Sequence, residues 1–144
     1  MSQQFSSRTP LDVSSRGKLE ELRKKLLEQH KILLEVERRA YEEEFGPIGG
    51  AGKLLSLLMS NPFFDWLHRI SEIVVTVDEL LESDEPTVEA AQDITAVVRM
   101  LFKASSADPA LDTAFMQRYK QVLQKDSAAV MTHSELQRLL ASDG

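Results

Sequence analysis

The chain has 144 residues, 42% hydrophobic and 28% charged, with 17 Lys and Arg against 23 Asp and Glu and no cysteine. That length and composition suit one globular domain with its own core and lie outside the range of disordered chains. The missing thiol excludes thiolate nucleophiles, disulfides and iron–sulfur clusters, and a net charge of −6 argues against nucleic acid as a partner, because phosphate binding rests on Lys and Arg.

Met1 to about Ser15 is rich in Ser, Gln and Thr and has no apolar period, so residues 1–15 are expected to form a mobile tail ahead of a single domain over 16–144. No stretch has the length and apolarity of a secretory signal or a membrane span, which makes the expected location cytoplasmic, with no membrane partner. From Arg16 the pattern becomes Leu19, Leu22, Leu26, Gln29, Leu33, Val36, Ala40, a three-four alternation that draws one stripe along a helix of about 30 residues. A second stripe of Leu27, Leu34, Tyr41 and Phe45 lies beside it. Glu20 with Lys24, Glu21 with Lys25 and Glu35 with Arg39 stand acid before base at i,i+4 on the opposite face. Gly46-Pro47 ends the helix, since glycine tolerates the left-handed conformation and proline cannot continue the turn.

GPIGGAG (46–52) is an elbow, and KLLSLLMS (53–60) reads as a short apolar helix. Asn61-Pro62 supplies a cap and a first-turn proline for a long buried helix whose stripe is Phe63, Trp66, Leu67, Ile70, Ile73, Val74, Val77, Leu80 and Leu81. The β-branched run Ile73–Val77 allows a strand, but helical spacing continues on both sides of it. A break at Ser83-Asp84-Glu85-Pro86 precedes a helix through Val88, Ala91, Ile94, Val98 and Leu101. Asp108-Pro109 repeats the cap-plus-proline signal ahead of Leu111, Phe115, Tyr119 and Val122, and Thr132 with Glu135 makes a T-x-x-E capping box for a last helix carrying Leu136, Leu139 and Leu140. The expected fold class is all-α: a bundle of about six helices with a long N-terminal helix and a central buried one.

LLSLLMSNPFFDWLHRISEIVVTVDE (54–79), with leucines leading into x-P-x-F-x-W-L and an apolar run closing on Asp-Glu, resembles a segment of uncharacterised bacterial all-helical proteins. RYKQVLQKDSAAVMTHSELQRLL (118–140) is similar to their C-terminal end. The resemblance implies a helical fold and carries no activity, cofactor or site residue.

Several residue groups invite a chemical reading. GPIGGAGK approaches the phosphate-binding pattern G-x-x-x-x-G-K-[ST] but fails it, because the first glycine falls on Pro47 and Leu54 replaces the hydroxyl residue. Asp65, His68 and Glu72 lie at i, i+3 and i+7, a spacing that suits a metal, yet the apolar stripe through Leu67, Ile70 and Val74 turns them toward water. His30, between Leu27 and Leu34, reads as a core-edge residue or as a group that changes charge near neutral pH. Three histidines, no cysteine and no Gly-x-Ser-x-Gly leave no nucleophile with its base, so neither an enzyme nor a cofactor is expected.

Gln29 interrupts the seam Leu19, Leu22, Leu26, Leu33, where it either lies at the edge and reaches solvent or, buried, sets register and oligomeric state, and two apolar stripes exceed what one neighbouring helix covers. Asp65 to Asp112 holds eleven acids and three bases. Within that stretch Asp78, Glu79 and Glu82 crowd an expected helix C-terminus, where the macrodipole favours cations, and Asp84 and Glu85 follow in the break; a basic partner or an ordinary solvated loop accounts for the cluster. The expected function is therefore a non-enzymatic interaction or structural protein, either a homodimer through the Leu19–Phe45 helix or a protein partner at the acidic loop. The alternative is a metal- or small-ligand-binding bundle using Asp65, His68 and Glu72.

Overall fold

Asp12 decides where the first helix starts. Its carboxylate accepts the Ser15 N–H at 2.7 Å, satisfying one of the donors a helix leaves open at its N-terminus. In this computed structural model, which describes residues 8–103 and 113–141, α1 accordingly runs Val13–Phe45, about 50 Å long. The helix thus begins before Arg16. Ahead of it the chain is held: Leu11 N–H donates to the Pro86 carbonyl (2.9 Å), Val88 N–H to the Thr9 carbonyl (2.8 Å) and Thr9 N–H to the Glu89 carboxylate (2.8 Å). These bonds correct the expected tail boundary at Ser15, and Met1–Ser7 lie outside the described residues.

Gly46, at φ 93°, ends α1 with its N–H on the Glu42 carbonyl, as the glycine signal required. The elbow leads into α2 (Ala51–Ser60), and the Asn61 side chain then accepts the Phe63 N–H at 2.9 Å. From there the chain makes a 3-10 turn, Pro62–Leu67, before it enters α3, His68–Leu81. The expected single helix from Asn61 is therefore divided. A 3-10 turn aligns i with i+3, and Phe64 and Leu67, both 0% exposed, occupy that spacing in the core.

Thr87 caps α4 (Val88–Leu101), and Thr113 caps α5 (Ala114–Leu123). The expected start at Asp108-Pro109 and Leu111 lie outside the described residues. The last helix, α6, spans Ser127–Ala141, with the Asp126 carboxylate accepting the Ala129 N–H. The expected capping box at Thr132 is thus incorrect: Thr132 is buried in mid-helix, and Glu135 turns to Lys25 of α1.

Among the described residues the chain is a six-helix, all-α bundle. The longest helix lies against α6, α3, α4 and the 3-10 turn, while α3 lies between α1 and α4. Leu19, Leu22, Leu26 and Leu33 of α1 meet Ile70, Ile73, Val74 and Val77 of α3, Val98 of α4, and Leu136 and Leu140 of α6 in one core. Each such side chain stabilises the fold by about 1.5–3 kcal/mol through burial. Among the described residues no helix is long and apolar enough to cross a membrane.

Candidate functional site

The core carries a line of polar side chains down the seam of α1. Gln29 and Glu37, two turns apart, are both 0% exposed. Glu37 stands one turn beyond Leu33, where the sequence pattern pointed to Val36 instead. Its carboxylate receives two N–H groups of Arg118 from α5, at 2.7 and 3.0 Å, and the indole N–H of Trp66 at 2.8 Å. A forked guanidinium and a third donor leave this buried charge well satisfied.

Gln29 sits where three helices meet. Its amide nitrogen donates to the Tyr119 hydroxyl of α5 at 2.7 Å and to the Ala129 carbonyl of α6 at 2.9 Å, and the Tyr119 oxygen lies 2.8 Å from His133 Nδ1. Burial raises the Tyr119 pKa above the ordinary phenol value, partly offset by the Gln29 hydrogen bond, and burial lowers that of His133. Burial of the phenol thus favours its neutral form. The amide oxygen of Gln29 is buried without a partner.

The expected interaction seam Leu19, Leu22, Leu26, Gln29 and Leu33 is entirely internal, none of the five more than 4% exposed. Covered by the chain's own α3 and α6, it is not a surface for a second copy. Of the expected α1 ion pairs, Glu35–Arg39 forms at 3.2 Å, whereas Lys25 turns away from Glu21 to Glu28 and across to Glu135.

Asp65, His68 and Glu72 do not converge. Asp65 is exposed, Glu72 pairs with Arg69, and His68 Nε2 bonds the Leu58 carbonyl near the end of α2. Among the described residues no three His, Cys, Asp or Glu are grouped to hold a metal. His30 lies against the Ser71 hydroxyl at 3.2 Å, and burial, then the neighbouring His68, lowers its pKa.

The acids at the end of α3 divide into two sets. Asp78 binds the Arg23 guanidinium, and Arg16 donates to the Leu81 carbonyl at 3.2 Å, so α1 supplies the cations that the end of α3 lacks. Glu79, Glu82, Asp84 and Glu85 are not drawn into the core and stand out in solvent.

Exposed large apolar side chains occur at several places on the surface, among them the end of α1 and α2. Phe45 (60%), Leu55 (58%) and Met59 (72%) are open to solvent, although Leu54, Leu57 and Leu58 of α2 pack on the core from the helix's other side. Tyr41, Phe45, Phe63 and Phe64 form an aromatic cluster with centroids 4.8–6.3 Å apart. No family model, curated protein or solved structure matches the chain.

Proposed function

We propose that the chain is a non-enzymatic interaction module that works by protein–protein contact through the corner formed by the end of α1, α2 and the 3-10 turn. The observation that carries this reading is α2, a ten-residue helix with no buried residue. Leu55 and Met59, one turn apart, form an open apolar stripe on it, with Phe45 at the end of the adjoining helix. Large apolar side chains grouped on a surface mark contact sites more often than isolated ones do. The polar groups of the core support the same reading, because Glu37, Arg118, Tyr119 and His133 satisfy one another inside the fold and present no reactive group to a substrate.

The test compares the wild-type chain with a Leu55→Glu/Met59→Glu double variant. Sedimentation equilibrium over micromolar concentrations reads self-association, and affinity capture from the native host reads a foreign partner. Both substituted positions are exposed, so folding is expected to be unchanged by circular dichroism. Loss of a dimer or of a captured partner in the variant supports the reading, and identical behaviour of the two proteins in both measurements overturns it.

A further inference from the structure

We infer that Gln29, Tyr119 and His133 form an acid-operated latch, which holds the first half of α6 against α1 and α5 while His133 is neutral and loosens it when the imidazole is protonated. The roles of the donors carry the argument. Gln29 Nε2 has two hydrogens, and both are engaged, one on the Ala129 carbonyl (2.9 Å) and one on the Tyr119 oxygen (2.7 Å). The hydroxyl hydrogen of Tyr119 therefore goes to His133 Nδ1, 2.8 Å away. That bond requires a lone pair on Nδ1, so His133 is held as the neutral tautomer with its hydrogen on Nε2.

A second proton breaks this order. It converts Nδ1 into a donor aimed at an oxygen that already accepts from Gln29, and the hydroxyl hydrogen loses its acceptor. Rotating the Gln29 amide does not repair the network. Its oxygen would then face the Ala129 carbonyl across the same 2.9 Å, and its nitrogen would occupy the place where the amide oxygen now has no partner. Tyr119 is 1% and Gln29 0% exposed, so a stranded donor there bears the full cost of desolvation.

The groups facing His133 are Tyr119 from α5, with ring centroids 5.4 Å apart, and behind it Gln29 from α1. The charged groups on these helices pair among themselves, Lys25 with Glu28 and Glu135 and Arg118 with Glu37, and burial alone accounts for the direction of the His133 shift. Beyond His133, α6 is fastened by Leu136, Leu140 and the Arg99 bond to the Leu140 carbonyl (2.8 Å), none of which involves the imidazole. Opening is thus confined to the turns around Ala129 and Thr132, and it uncovers Gln29 of α1.

The experiment is nitrogen-detected NMR of the histidine rings in the full chain, with amide exchange followed from about pH 7.5 to about pH 5.5, across the ordinary histidine range. Expected are an unprotonated Nδ1 at the upper pH and, after correction for intrinsic rates, acid-accelerated exchange at Ala129–His133. That acceleration is about tenfold for each unit by which the His133 pKa is lowered, read relative to Ile73–Val77, whose exchange reports the acid response of the whole fold. His133→Asn places a non-titrating acceptor near the position of Nδ1 and is expected to abolish the acid response. Tyr119→Phe removes the donor that favours neutral imidazole, so the His133 pKa is expected to rise. A hydrogen on Nδ1 at the upper pH, an unchanged pKa in Tyr119→Phe, or an undiminished acid response in His133→Asn would each overturn the inference. Should His133→Asn not fold, the wild-type tautomer and the Tyr119→Phe shift decide it.

Discussion

Arg118→Ala tests whether the ion pair in the α1 seam is a structural requirement. The substitution leaves the buried Glu37 carboxylate with the Trp66 N–H in place of three donors. Removing one partner of a buried pair costs about 3–5 kcal/mol, because the remaining charge has lost both its partner and its water. Arg118 is itself 34% exposed, so water can enter the vacated space, which places the expected loss near the lower bound, about 3 kcal/mol. For a chain of this length that corresponds to a fall in melting temperature of roughly 6–12 °C. Urea unfolding followed by helical circular dichroism reads it without relying on Trp66, which the substitution touches. The double variant Glu37→Met/Arg118→Met is expected to recover most of the loss, since apolar side chains of similar volume can replace a buried pair. A cost for Arg118→Ala below about 1 kcal/mol, the range of exposed pairs, would refute the reasoning, as would a double variant no better than the single one.

Leu26→Ala is expected to cost about 2–5 kcal/mol in the same assay, and Leu26→Glu to unfold the chain rather than dissociate a dimer, since Leu26 is 0% exposed inside the monomer. Gln29→Met is expected to stay within about 1 kcal/mol of wild type, because it loses two hydrogen bonds but also removes a buried, unpartnered oxygen; a loss as large as that of Leu26→Ala would contradict this. His30 and His133 both have pKa values lowered by burial, so the unfolded chain binds protons more readily than the folded one. Stability is therefore expected to fall as pH drops from about 6.5 toward the folded-state values and to level off below them, and His30→Gln is expected to flatten part of that slope in pH-resolved melts.

How much was legible depended on the kind of feature. Helix positions and the apolar faces could be read, because a 3.6-residue period and Asn61-Pro62, Gly46-Pro47 and Pro86 act over a few neighbouring residues. Boundaries were less legible where two local signals competed. At the last helix the sequence signal pointed to Thr132, but Asp126 supplies the cap and Thr132 is buried against the core. Glu37 was missed because nothing local marks a glutamate as buried; its only signal is that it stands four residues beyond Leu33, and its partners lie 29 and 81 residues away. The acids at the end of α3 present the reverse case, for Asp78 breaks the local macrodipole rule and its partner, Arg23, stands 55 residues away in the sequence.

By itself, then, the sequence determined the all-α class, the approximate helices and the stripe of α1 that turns inward, since these come from local periodicity and capping. Only the tertiary structure decided what covers that stripe. Whether Leu19, Leu22, Leu26 and Leu33 face a second copy or the chain's own α3 and α6 depends on how distant helices pack, and no local pattern encodes that choice. The same packing brought Gln29, Tyr119 and His133 together from three helices and left Leu55 and Met59 of α2 in solvent, which moved the candidate surface from the first helix to the corner at its end.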